Sequence, residues 1–180
     1  IRNMSVFQDY EEVLGLVSSY YEGARVPWVP TREELLDIVM KLANISHNDI
    51  FYDLGCGDGR VVIRAVKEGA QKGVCVEINP TLIEKAKENA KTEAVLNRIE
   101  FINEDFFKAP ISDATIIYMY LLTSVNRALK PKLETELKKG TRIVTLDFEI
   151  PGWKPIQIIE VALPMRTARL YLYVKGYSDV

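Results

Sequence analysis

Three acids stand at the ends of apolar runs in this chain, and the first opens a stretch of three alternate glycines that carries a fourth acid, Asp58: Asp53-Leu54-Gly55-Cys56-Gly57-Asp58-Gly59-Arg60. Glu77 closes Gly73-Val74-Cys75-Val76, and Asp105 follows Arg98-Ile99-Glu100-Phe101-Ile102. Alternate glycines let a backbone turn tightly and let a ligand lie against it. Val61-Val62-Ile63 and Ala65-Val66 then read as the apolar side of a helix, whose N-terminus offers N–H groups to an anion. The dinucleotide fingerprint needs its third glycine at position 60, where Arg60 stands, and no lysine follows the glycines as in a P-loop. A pyrophosphate would be repelled by these acids. A ligand with a sulfonium, an ammonium and a single carboxylate is net cationic and suits them, and S-adenosylmethionine is such a ligand.

Each residue then has an expected part. Gly55 and Gly57 pass under the methionine end. Asp53 acts on the ammonium, directly or through water. Glu77 stands beyond the glycines at the spacing from which an acid reaches ribose hydroxyls. Asp105 accepts from the adenine amino group with Phe106 against the ring, or else caps its own loop. Thr31 opens a helix in the capping-box sequence Thr31-Arg32-Glu33-Glu34 and is also placed to touch the cofactor carboxylate. Arg60 balances Asp58 or that carboxylate.

The elements that must position these groups alternate. Strands are expected over Ile50–Tyr52, Gly73–Ile78, Arg98–Ile102, Ala114–Tyr120 and Thr141–Phe148. The helices between them are marked by Leu35, Ile38, Val39 and Leu42, by Val61 to Val66, and by Leu82, Ile83, Ala86 and Ala90 after an Asn79-Pro80 cap. A further helical region is interrupted at Pro131 and ended by Gly140. Gln157–Val161 and Ala168–Val174 lie too close together for a helical crossover and must pair antiparallel. The expectation is an α/β fold: a Rossmann-like, doubly wound, mostly parallel seven-stranded sheet with a C-terminal antiparallel pair. Residues 31–180 form it. Residues 1–30 are read as an N-terminal helix, from Val6, Phe7, Tyr10, Val13, Leu14, Val17, Tyr20 and Tyr21, and an extended Val26-Pro27-Trp28-Val29-Pro30 segment. That helix either packs on the domain or acts as a lid.

The 180 residues suit one domain with a sizeable core. The net charge of −2 gives no general basic field, so nucleic acid is not the expected partner. Cys56 and Cys75 are read as small packed residues and not as a redox pair. No membrane-spanning run or signal peptide is expected, and the location is read as cytoplasmic. No metal ligands cluster. His47, the single histidine, falls in a turn.

The acceptor is harder to read, because this kind of fold hosts many chemistries. Tyr118-Met119-Tyr120-Leu121-Leu122-Thr123 lacks the Asn/Asp-Pro-Pro-aromatic run of amino-methylating nucleic-acid enzymes. Trp28, Tyr118, Tyr120, Asp147, Glu149 and Trp153 are left around a mouth. Rings can sheathe an alkyl stem and carboxylates attract its ammonium. Transfer needs the neutral amine. For free lysine at pH 7 deprotonation costs roughly 4.6 kcal/mol, which an apolar channel beside a sulfonium reduces. Tyr120 and Glu149 are the residues expected to line that channel. Otherwise Tyr120 packs and Glu149 pairs with a surface lysine.

The glycine loop with Glu77 and Asp105 at successive strand ends resembles the class I methyltransferases. The longer runs are more particular. Val26-Pro27-Trp28-Val29-Pro30-Thr31, Val76-Glu77-Ile78-Asn79, Tyr120-Leu121-Leu122-Thr123, Leu129-Lys130-Pro131-Lys132-Leu133 and Phe148-Glu149-Ile150-Pro151-Gly152-Trp153 resemble the archaeal broad-specificity protein lysine methyltransferases. Relatives of these act on the mitochondrial adenine nucleotide translocase and ATP synthase. The resemblance covers about residues 26 to 176 and implies a protein lysine as acceptor. A small molecule or RNA is the alternative acceptor. The Pro-x-Thr helix entry also occurs in corrin-precursor methyltransferases.

Overall fold

The computed structural model describes residues 19–21, 24–26 and 28–180. Ser19–Tyr21 (β1) and Ala24–Val26 (β2) pair antiparallel as a small separate sheet. Tyr20 and Tyr21 therefore lie in a strand, where aromatic residues are favoured, and not in the expected helix. The remainder of that helix, residues 6–18, falls outside the described residues.

Glu33–Ala43 is α1, with Leu35, Leu36, Val39, Met40, Leu42 and Ala43 buried. It opens without the expected capping box. Arg32 is the N-cap residue and makes no side-chain cap. The Thr31 hydroxyl is instead drawn inward to the Tyr118 hydroxyl, 2.7 Å away, because a buried phenol needs a partner. Glu33 and Glu34 in the first turn suit the helix dipole in place of the cap.

Then follow β3 (Ile50–Leu54), α2 (Arg60–Lys67), β4 (Lys72–Val76), α3 (Pro80–Thr92), β5 (Ile99–Ile102) and β6 (Ile116–Met119). After these come α4 (Thr123–Glu136), β7 (Arg142–Leu146), β8 (Gln157–Ala162) and β9 (Thr167–Val174). The Asn79 side chain accepts from Thr81 N and Leu82 N, with Pro80 in the first turn, as its sequence predicts. The expected break at Pro131 is absent. Pro131 lies inside α4, on its exposed side. Arg127, whose carbonyl loses the proline's missing donor, is exposed too, so water can replace that bond.

The seven-stranded sheet runs β5-β4-β3-β6-β7-β9-β8. β3 to β7 are parallel, and β9 pairs antiparallel with both β7 and β8. Successive residues face opposite layers. Phe51 joins Leu35, Val39 and Val62 on one side, while Tyr52 joins Ile117, Leu129 and Leu133 on the other. β6 is wholly buried, as a doubly covered parallel strand must be. The chain leaves β3 toward β4 and later returns to β6 on its other side. That reversal opens a crevice at the carboxyl ends of β3 and β6.

The amino ends of the same strands are closed by a clasp. Asp49, just before β3, accepts from Ser46 N at 2.8 Å, Thr115 Oγ1 at 2.7 Å and Arg142 Nη2 at 2.9 Å. Burial raises its carboxyl, but Thr115, Ser46 and Arg142 outweigh that and leave it below the ordinary value. A lowered folded-state pKa means stability that is present above the unfolded value, near 3.8, and is lost as pH falls through the folded one. Asp49→Ala should cost about 3 kcal/mol at pH 7 in urea unfolding, the scale for breaking a buried pair. The parent should also lose more stability than Asp49→Asn as pH is taken from neutral to acid.

Candidate active site

The glycine loop folds back over the end of β4. Gly55 N and Cys56 N both donate to Val76 O, at 2.8 and 3.0 Å. Glu77 holds it from beyond that strand: Oε1 accepts from Gly57 N and Oε2 from Asn79 N, each at 3.0 Å. Glu77 is 1% exposed and Asp53 is 3% exposed. Burial first, then the charges of Glu77 and Asp58, push the Asp53 carboxyl well above its ordinary value, while a bond from the Val62 amide opposes them. A cationic ligand would relieve this crowding, so the acids fit S-adenosylmethionine.

The helix N-terminus is less open to an anion than its sequence implies. Arg60 N donates to Asp58 Oδ1 at 3.2 Å, and Asp53 takes Val62 N. The Arg60 side chain is paired with Asp58, Nη2 to Oδ2 at 2.8 Å, and Nη1 donates to Thr31 O at 3.2 Å. Of its two expected partners, Arg60 thus has Asp58. Trp28 lies across the loop. Gly57 has φ +55°, and a Cβ there would come 2.0 Å from the indole, so only glycine admits the ring.

Cys56 and Cys75 are bonded to each other as a disulfide, with Cα atoms 5.3 Å apart, and are not merely packed. The loop's return over β4 brings them together. At a separation of 19 residues, no local pattern announces the contact.

Asp105 Oδ1 accepts from Phe107 N at 2.9 Å, which is the loop-capping role. Its Oδ2 takes no bond among the described residues. Phe106 is buried in the second core layer, and a Cβ at Gly55 would lie 3.7 Å from its ring. It therefore backs the loop from beneath.

On the acceptor side, Tyr120 follows β6 and lines a recess together with Trp28, Thr31, Asp53 and Gly55. Its ring stacks on Phe148 at 6.3 Å between centroids. Burial first, then the Asp147 carboxylate, push its phenol up to about 12. Asp147, directly after β7, is therefore the carboxylate beside Tyr120. The Glu149 side chain is exposed, while the backbone carbonyls of Phe148 and Glu149 each accept from Asn126 Nδ2 at 3.1 Å. Trp153 and Tyr118, also read as mouth aromatics, are buried. Trp153 packs edge-on against Tyr173, and Tyr118 bonds Thr31. Sequence reasoning missed Arg166. It sits in the β8–β9 turn and reaches back to Asp147, and a turn arginine carries no signal of that.

A larger cleft, about 400 Å³, lies among α1, α2 and α3. Its cations meet acids within the chain, as Arg60 with Asp58, Arg64 with Asp37 and Lys67 with Glu93. Among the described residues, no cluster of three or more His, Cys, Asp or Glu is arranged to hold a metal ion, and no helix is long and apolar enough to cross a membrane.

Strand order, terminal antiparallel pair, glycine loop and acids at successive strand ends define a class I methyltransferase. Residues 53–157 match the family model of the ANTKMT methyltransferase domain, and the chain belongs to that family. A protein-lysine N-methyltransferase of Saccharolobus islandicus is 47% identical over 152 residues, covering 84% of this chain and 94% of that protein. An adenine nucleotide translocase lysine N-methyltransferase of Mus musculus is 29% identical over 135 residues, 75% of this chain and 58% of its own length. Among solved structures, an RNA methyltransferase from Salinibacter ruber in complex with S-adenosyl-L-homocysteine is 42% identical with a TM-score of 0.75. That match covers 81% of this chain and 93% of the other.

The raised Asp53 carboxyl has a measurable sign. A carboxyl raised by folding contributes stability that is present below the unfolded pKa and is lost as pH rises through the folded one. Asp53→Asn should therefore melt above the parent at pH 8, by about 2–4 °C for each kcal/mol of repulsion removed. The difference should vanish toward pH 4, as followed by thermal denaturation without ligand.

Proposed function

We propose that the chain transfers the methyl group of S-adenosylmethionine to the side-chain nitrogen of lysine residues in proteins. The observation that carries this is the position of Tyr120. Its ring lines the recess beside Asp53 and Gly55 and also adjoins Asp147, so a lining suited to an alkylammonium borders the cofactor loop. The name of the 47% identical archaeal relative supports the same acceptor.

When bound, the cofactor supplies an electrophilic methyl on its sulfonium. The chain's own residues hold and screen. Glu77 addresses the ribose hydroxyls while its carboxylate braces the loop. Asp53 faces the ammonium, and Gly55 and Gly57 pass beneath the methionine end. Asp105 keeps Oδ2 for the adenine amino group, with Phe106 supporting the loop from below. Thr31 can accept from the Tyr118 hydroxyl and still donate its own proton to the cofactor carboxylate. Tyr120 stays a neutral phenol at physiological pH, so it orients the amine and does not take its proton. That proton leaves to water before transfer, which the sheltered channel favours. Glu149 lies further out on the rim.

The name of the Salinibacter relative raises RNA as a second acceptor. The exposed carboxylate of Glu149 disfavours a phosphodiester backbone, and Arg166, beside Tyr120, is already paired with Asp147.

Incubation with methyl-labelled cofactor and separated protein, RNA and metabolite fractions should label protein, on lysine. Label confined to RNA or metabolites would overturn the reading. Tyr120→Ala should lower turnover at least tenfold, about 1.4 kcal/mol, with S-adenosylhomocysteine affinity nearly unchanged. Asp105→Ala should weaken S-adenosylhomocysteine more than its inosine analogue, which lacks the amino donor, as calorimetry would show.

A further inference from the structure

Arg166 grips Asp147 with both guanidinium ends. Nη1 donates to Oδ1 and Nη2 meets Oδ2, each at 3.0 Å. Oδ1 also accepts from Arg169 N at 3.2 Å. Asp147 adopts φ +63°, a left-handed backbone that a residue with a side chain adopts at a cost. The strand end thereby turns, with the carboxylate beside Tyr120.

The hairpin does not need this pair for its shape. β8 and β9 are in register from Gln157↔Leu172 to Ala162↔Thr167, β9 is zipped to β7, and Leu163 N donates to Arg166 O at 2.8 Å to close the turn. What remains is an alkyl-borne cation at the ligand end of the sheet, held by a carboxylate next to the stacked rings of Tyr120 and Phe148. A lysine side chain would ask for the same surroundings.

We propose that Asp147 receives the ammonium of the incoming acceptor and that Arg166 occupies it when no acceptor is bound. The β8–β9 tip is then an internal competitor, and acceptor binding is an exchange of cations on one carboxylate. Neither residue touches the cofactor recess, so both are specificity-determining positions for the acceptor. The inference rests on the lysine reading above and deepens it.

Two effects of opposite sign test it. Arg166→Ala frees Asp147 and should lower KM for a lysine peptide about two- to fivefold, the worth of an exposed ion pair. Asp147→Asn keeps the shape and a residue type tolerant of the left-handed backbone, and should raise KM about tenfold or more. In both, kcat and S-adenosylhomocysteine affinity should stay within about twofold, and the double variant should behave as Asp147→Asn alone. A hairpin brace would instead make both single variants worse, and that same-sign result overturns the proposal. Binding of n-butylammonium, followed by NMR against n-pentanol as neutral control, reads the exchange without turnover. It should tighten in Arg166→Ala and disappear in Asp147→Asn, while pentanol does not change. A parent that labels no lysine peptide overturns the lysine reading, whereas n-butylammonium binding equal in all three proteins overturns the exchange.

Discussion

The crowding of Asp53, Glu77 and Asp58 around one glycine loop is the constraint on which the rest of the molecule turns. Glu77 is held buried by two backbone amides, and those bonds shape the loop. Asp53 then sits between Glu77 and the start of α2 with its carboxyl raised. A sheet that ended in water could screen such charges. Here Asp53 and Glu77 are buried, so the repulsion is kept for a cationic ligand to remove. The clasp at the opposite end, where Asp49 binds Arg142 and Thr115, shows the contrast. There the carboxylate is fully matched, and its role is complete within the fold.

Much of this was legible in the sequence. Apolar runs bounded by turn residues predicted every strand of the large sheet to within a few residues, and Asn79-Pro80 marked the start of α3. The antiparallel ending followed from the length of one loop. These features are set by neighbours in the chain, where periodicity and cap chemistry decide. The shortfalls have a common cause in contacts made far along the sequence. Thr31 reads as a cap, but a buried phenol 87 residues away claims its hydroxyl. Cys56 and Cys75 read as filler until the loop folds over β4. Pro131 reads as a breaker, yet it faces solvent, where water replaces the bond it removes.

The candidate site divides along the same line. Residues on the glycine loop and after β4 and β5 could be placed at the carboxyl ends of the strands from spacing alone, since each spacing is fixed by one strand and one turn. The acceptor side could not. Between Asp147 and Glu149 the choice of the carboxylate facing Tyr120 depends on a left-handed residue at the end of β7, and no pattern of residue types announces it. Trp153 shows the reverse error. An aromatic residue near a mouth in sequence is turned into the core by the loop that carries it.

The contact between Trp28 and Gly57 joins the segment before α1 to the first turn of the nucleotide fold. The indole has room only because position 57 has no side chain. Bulk at one position and its absence at the other are therefore one steric arrangement. A smaller residue at 28 would uncover the loop and lift the clash at 57, yet position 57 would still turn through φ +55°, a backbone that favours glycine whatever the space beside it.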